Sequence, residues 1–444
     1  MTTHTRPLPP EVALPLAAYR LLSPLVAAAM LPGFVRRLLR RGGWQEHFGQ
    51  RFGWFSNEEK AQLATARWTW IHSISVGETL VALKLARALQ AIEPGIPIAL
   101  SVTTSTGYAL AAGAASDTLR VMYNPVDAPA PVAHVLHWLR PERVVLVEGE
   151  VWPNLMAACW ERGIPVMLAN ARLSPRSAAR FARFRRWCAP FFGMLEWIGI
   201  PDAEDQPRWE NMGVASENLR LTGSIKFDQG AGGASEGRLD ELRGVLAHLG
   251  WEEGAPLVVA GSTHDGEEVL LARAFQRWRR EHPGLRLVVV PRHVERAPAL
   301  AREVEAEGVR VVRRSLWRDA QGEAGVLLVD RTGELRDWYA LATVTFVGKS
   351  LTAEGGQNPV EPALAGKPVV FGPHMENFEV VVRHLLAGKA AIQVANAEEM
   401  EAQVARLLGN EAERQGYGAR AREVLEHHQG AAARTAALVL GRAG

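Results

Sequence analysis

From Trp68 onward, short apolar runs alternate with amphipathic stretches, and this rhythm constrains the fold more than any other feature of the chain. The first series is WTWIHSIS (68–75), IPIALSV (96–102), VVLV (144–147), PVMLAN (165–170) and WIGI (197–200). A second follows: PLVVAG (256–261), LRLVVVP (285–291), VRVV (309–312), VLLVD (326–330), VTFVG (344–348) and PVVFG (368–372). Short apolar runs separated by helical periodicity predict parallel strands joined by crossover helices. Between the two series lies QGAGGASEG, the most glycine-rich stretch of the chain and a natural linker. The 444 residues are also enough for two domains. The expectation is α/β: two Rossmann-like doubly wound domains facing a cleft. It places an N-terminal segment at 1–45, domains at 46–228 and 239–444, and a linker at 229–238. Ligands of such sheets bind beyond the carboxyl ends of the strands.

Charge and cysteine content narrow the function. Fifty Lys+Arg against 48 Asp+Glu leave a formal charge of +2, so no electrostatic footprint for nucleic acid exists. The two cysteines, Cys159 and Cys188, are too few for a disulfide framework or a cysteine-rich zinc site and fit a reducing compartment. The leader is unlike the rest. Val12 to Val35 is apolar apart from Arg20, Tyr19 and Ser23, and Arg36, Arg37, Arg40 and Arg41 follow at once. A secretory signal would carry its charges before the apolar core. Arg20 disfavours a span. Two readings remain, a helix packed on the domain and an interfacial anchor. The second is favoured, with the arginines drawn to anionic lipid and the rest of the chain on the cytoplasmic side.

The turns carry the chemistry. No G-x-G-x-x-G follows the first strand of either half, and Val347-Gly348-Lys349-Ser350 has Thr343 where a phosphate loop needs glycine. His264 lacks the second histidine of a zinc protease motif, so neither a metal set nor a cofactor is expected. Glu78 follows a glycine at a strand-to-helix turn, where a carboxylate serves either as a base or as a complement to the helix dipole. Glu148 and Glu150 follow VVLV in the same way. Arg292 after LVVVP and Lys226 in GSIKFD are the cationic candidates, for phosphate or for an ion pair. GGQNPVEP (355–362) and Gly333-Glu334-Leu335 add turns in which backbone N–H groups approach a phosphate.

Taken together, these strings resemble the bacterial 3-deoxy-D-manno-octulosonic acid (Kdo) transferases. The matching pieces are IHSISVGETL (71–80), TTSTGYALA (103–111), RPERVVLVEGEVWPNL (140–155), NARLSPRSA (170–178) and TGSIKFD (222–228). They continue with AGSTHDGEE (260–268), VPRHVERA (290–297), TGELRDWYALATVTFVG (332–348) and GGQNPVEPALAGKPVVFGPHMENF (355–378). The resemblance implies a GT-B glycosyltransferase, metal-independent and inverting, that moves Kdo from CMP-Kdo to a lipid A precursor. Its partners would be that donor, that acceptor and the lipids of the inner-membrane surface. Glu78 would be the base, with Glu148 and Lys226 stabilising the transition state. Pro291, Arg292, Gly333, Glu334, Leu335, Asn358, Pro359, Val360 and Glu361 would bind CMP. Two positions depart from the family: Gln357 stands where histidine is usual, and Lys349 where glycine is usual. A transferase for another activated sugar, and a non-catalytic nucleotide-binding protein at a membrane surface, are the alternative expectations.

Overall fold

The computed structural model describes residues 6–41, 47–149, 151–173, 175–228, 235–322 and 324–442. Glu150, linker residues 229–234 and the side chains of Arg37, Arg40 and Arg41 lie outside the described residues. The chain divides into two compact units, Met1–Gly230 with His428–Gly444, and Ala231–His427.

The first unit holds a parallel sheet of Thr69–His72 (β1), Ile98–Val102 (β2), Leu119–Tyr123 (β3), Arg143–Val147 (β4), Val166–Ala169 (β5), Ile198–Ile200 (β6) and Leu219–Leu221 (β7). Their order is β3-β2-β1-β4-β5-β6-β7. The second unit holds Leu257–Thr263 (β8), Arg286–Pro291 (β9), Val311–Arg313 (β10), Val326–Leu328 (β11), Val344–Val347 (β12), Val369–Phe371 (β13) and Ile392–Gln393 (β14). Here the order is β10-β11-β9-β8-β12-β13-β14. Central strands such as β1, β2 and β8 are buried almost throughout, as strands covered by helices on both faces must be. The first sheet reverses its strand order between β1 and β4, and the second between β8 and β12, with β10 and β11 exchanged at its edge. Crevices of this kind bind the ligands of open α/β sheets.

Two features depart from the sequence reading. The sequence places the C-terminal segment from residue 428 in the second domain, yet residues 428–442 pack with the first. Ala431, Ala436 and Val439 join the apolar cluster of Ile71, Val81 and Leu85. The Asp228 carboxylate accepts from Gly430 N at 3.3 Å and Ala432 N at 2.8 Å, which caps the helix Ala431–Val439. Arg143 donates to Val439 O at 2.9 Å. The apolar stripe of the last helix buries itself where the first unit offers a complementary surface, and no local pattern signals that crossing.

The leader is one helix, Pro10–Arg41, long and apolar enough over Pro10–Ala29 to cross a membrane by length and composition. Its first half is docked on the domain. Val12 and Leu16 are buried, Tyr19 hydrogen bonds to Asp127, and Arg20 Nε donates to Asn154 Oδ1 at 2.8 Å. Leu21, Leu25, Val26 and Leu31 beyond it are exposed. The first half of the leader thus follows the packed-helix reading, while its second half leaves apolar side chains exposed.

Candidate active site

The site begins at the β1/β4 crevice. β1 runs into an extended turn, and Ser75 (φ −96°, ψ 165°) caps the helix Val76–Ile92 by accepting from Glu78 N at 3.2 Å. Ile74 N donates to Glu78 Oε2 at 2.8 Å, and the Ser75 hydroxyl donates to Oε1 at 3.0 Å. Two donors from the preceding turn therefore fix the half-buried Glu78 carboxylate over its own helix terminus. Asn124 Nδ2 ties down the same turn, donating to Ser73 O at 2.6 Å and Thr103 Oγ1 at 2.8 Å.

On the neighbouring strand Glu148 follows β4 directly, with a left-handed backbone (φ 70°). Asn170 occupies the equivalent position after β5 (φ 54°). Non-glycine residues held there cost on the order of 1–3 kcal/mol, and such strain collects at functional sites. The surroundings hold both in place. Glu148 N donates to Ala169 O at 3.0 Å, and Arg172 N donates to Glu148 O at 2.9 Å. Asn170 Nδ2 reaches Glu148 Oε1 at 3.5 Å, and Asn170 Oδ1 accepts from Ile225 N at 2.9 Å. Asn170 thus links the Glu148 corner to the turn that carries Lys226.

A second lysine holds that turn. Lys84 Nζ donates to Ile225 O at 3.2 Å, Lys226 O at 3.1 Å and Asp228 O at 2.7 Å. Burial lowers the Lys226 pKa from its ordinary value; Arg172 pushes the same way and Glu148 opposes both. Glu148 and Lys226 are therefore electrostatic neighbours, as a charge-stabilising pair requires, while Glu78 follows the adjacent strand β1. Asn170 and Lys84 are missing from the sequence-level candidates. Asn170 lies inside NARLSPRSA, where a single asparagine after a strand stands out only once its backbone is known.

In the second unit every segment expected to bind nucleotide lies on the carboxyl side of the sheet. Pro291 ends β9, and Arg292 N donates to Thr263 O at 3.0 Å while the residue is exposed. Gly333 has φ 86°, ahead of the helix Leu335–Leu341. The Glu334 carboxylate is turned inward: it is buried and accepts from Arg314 Nε at 3.0 Å and Trp338 Nε1 at 3.2 Å. Asn358 Oδ1 accepts from Val360 N at 3.0 Å and its Nδ2 donates to Glu361 Oε1 at 3.2 Å. Pro359 leads into the short helix Val360–Leu364.

At the β8/β12 crevice the chain crosses so closely that a Cβ on Gly348 would lie 2.5 Å from Thr263 Cα. Glu267, fully buried, organises this crossing. One oxygen accepts from His264 N (2.9 Å) and Lys349 N (2.7 Å), the other from Ser350 N and Leu351 N (both 2.9 Å). Lys349 sits at φ 56° in this crossing, a left-handed conformation that glycine adopts more readily than lysine.

The next residue, Glu268, is equally buried, with Arg296 Nη1 3.6 Å from its Oε1. Burial pushes its pKa up from 4.5 to about 7. The folded state then holds a proton that the unfolded state has released, so stability declines as pH rises from about 4.5 to about 7. Glu268→Gln is expected to raise the melting temperature at pH 8, by the equivalent of about 3 kcal/mol at most, and to change little near pH 4.5. Thermal melts across that range check it; an equal gap at both ends contradicts it.

Two parallel seven-stranded sheets, each carrying its candidate residues at the carboxyl edge, define a GT-B glycosyltransferase architecture. Among solved structures, UDP-GlcNAc 2-epimerase from Neisseria meningitidis matches 85% of this chain and 100% of its own at a TM-score of 0.52 and 12% identity, a likeness of fold alone. The family model for 3-deoxy-D-manno-octulosonic-acid transferase matches residues 46–229. The chain is 33% identical over 433 residues to the 3-deoxy-D-manno-octulosonic acid transferase of Bordetella pertussis, covering 94% of this chain and 96% of that one. It is 31% identical over 343 residues to that of Haemophilus influenzae, covering 77% and 78%. The chain belongs to the Kdo transferase family and is a glycosyltransferase.

Proposed function

We propose that the protein transfers Kdo from CMP-Kdo to a lipid A precursor of the lipid IVA type, with inversion, on the cytoplasmic face of the inner membrane. The observation that carries this reading is the convergence at one sheet edge of an oriented carboxylate, Glu78, with the Glu148–Asn170–Lys226 cluster. Glu78 takes the proton of an acceptor hydroxyl as that oxygen bonds to the anomeric carbon of Kdo. The bond from that carbon to the phosphate oxygen breaks, and CMP leaves with the electron pair. Lys226 and the Glu148 corner stabilise charge that develops in the transition state. Pro291-Arg292, Gly333 to Leu335 and Asn358 to Glu361 hold CMP, with the inward Glu334 carboxylate setting the shape of its turn rather than touching ligand. The exposed apolar half of the leader helix contacts lipid. Titration of the protein with CMP, UDP and GDP tests the donor. CMP alone is expected to bind; binding of UDP without CMP overturns the assignment.

A further inference from the structure

The C-terminal segment that packs with the first unit makes a contact that none of the sequence motifs explains. Its first residue, His428, is fully buried, and its Nδ1 accepts from Ser224 N at 3.0 Å. Ser224 is the foot of the turn that carries Lys226. Its carbonyl accepts from Phe227 N at 3.1 Å and from Asp228 N at 3.0 Å, and so closes the loop on which Lys226 rides. With Nδ1 accepting, the neutral imidazole carries its proton on Nε2, toward the Asp202 carboxylate, whose Oδ1 lies 3.9 Å away. The ring also packs against Phe227, with ring centres 5.3 Å apart. His428 therefore holds the chain on both sides of Lys226, through Ser224 before it and Phe227 after it.

The rest of the segment grips the same turn. Arg434 Nε donates to Thr222 O at 3.1 Å, and Gln429 Nε2 donates to Phe227 O at 3.5 Å. Lys84 and Asn170 fix the stretch from Ile225 to Asp228, whereas the N–H at the foot of the loop is held by His428. Thr222 to Asp228 belongs to no strand or helix, so these bonds take the place of a ladder in setting its path. A buried N–H deprived of its acceptor drives the backbone to find another, and here that shift would carry Lys226 with it. We propose that His428 is a positioning residue for the transfer reaction. It fixes Ser224, and through the closed loop it sets where the Lys226 ammonium meets the charge that develops in the transition state. This inference rests on the role given to Lys226 under Proposed function.

The test is a double-mutant cycle on the full chain, read as the rate of Kdo transfer from CMP-Kdo to lipid IVA. His428→Leu fills the buried site but offers Ser224 no acceptor. It is expected to lower kcat roughly 10- to 10²-fold, the loss that a small misplacement of a catalytic group brings, while CMP binds as before. His428→Gln, whose amide reaches the Nε2 position rather than Nδ1, should lose as much, and replaces the leucine variant if that one does not fold. His428→Asn carries an amide oxygen at the Nδ1 position and should recover the rate to within about threefold of the natural chain. Lys226→Met alone should slow transfer by roughly 10²- to 10³-fold, still measurable in single turnovers. In that background His428→Leu should lower the rate by less than about twofold, because residues that act as a unit do not add. Equal losses in the two backgrounds overturn the inference, as do natural rates in both the leucine and the glutamine variants, or a folded His428→Asn as slow as His428→Leu. An unchanged rate in Lys226→Met takes away the role of Lys226 itself and the inference with it. That result is distinct from additive losses, which leave the role of Lys226 standing.

Discussion

Glu78→Gln is expected to lower the rate of Kdo transfer by roughly 10²- to 10⁴-fold, the range that a positioned general base contributes. The affinity for CMP should stay as it is, because the segments proposed to hold CMP all lie in the second unit. Glutamine keeps a carbonyl oxygen to accept from Ile74 N, so the turn after β1 retains its main tie. A companion variant separates the two roles of this side chain. Ser75→Ala removes the cap that accepts from Glu78 N and one of the two donors to its carboxylate, and should lose about 1 kcal/mol of stability while the Ile74 N tie and the carboxylate itself remain. If Ser75→Ala slowed transfer as much as Glu78→Gln, capping rather than proton transfer would explain the loss. Single-turnover rates together with thermal melts of both variants decide it.

The second large effect belongs to Glu267. Replacing it with leucine strips the acceptor from four backbone N–H groups at the β8/β12 crossing. Breaking a buried charged network typically loses about 3–5 kcal/mol. For a unit of this size that corresponds to a fall of roughly 10 °C in its melting temperature. The damage should be local. Amide exchange at Lys349, Ser350 and Leu351 should accelerate, and KM for the donor should rise because the crevice loop is no longer held. A melting temperature within 2 °C or so of the natural protein, on that same scale, would show that water replaces the carboxylate and that Glu267 is not the organiser.

How much of this was legible beforehand depended on burial. Strands covered on both faces announce themselves as apolar runs, so β2, β4, β5, β8, β9 and β12 were expected within a residue or two of where they lie, and β1 within three. The missing strands are β3, β7 and β14. β3 alternates buried residues with the partly exposed Arg120 and Val121, β7 exposes Arg220 and Leu221, and β14 has only two residues, Ile392–Gln393. An outer strand needs less apolar surface, and so its signal fades into that of a loop. The site followed a similar division. Glu78, Glu148 and Lys226 are charges directly after apolar runs, visible as such. Glu267 was hidden inside HDGEE because three of its four partners are backbone amides more than 80 residues away in sequence, which no side-chain pattern encodes. The apolar groove between the leader helix and the helix Arg185–Phe192 was hidden for a related reason. Its aromatic residues come from the leader (Tyr19) and from residues 181–192, and RSAARFARFRRW reads as an ordinary basic helix until the leader lies beside it.

Mass spectrometry of the lipid product, from purified protein incubated with CMP-Kdo and lipid IVA, tests the central claim most directly. A product carrying added Kdo, formed by the natural chain and lost in Glu78→Gln, is the expected result. A folded protein that binds CMP yet leaves the mass of lipid IVA unchanged would contradict it.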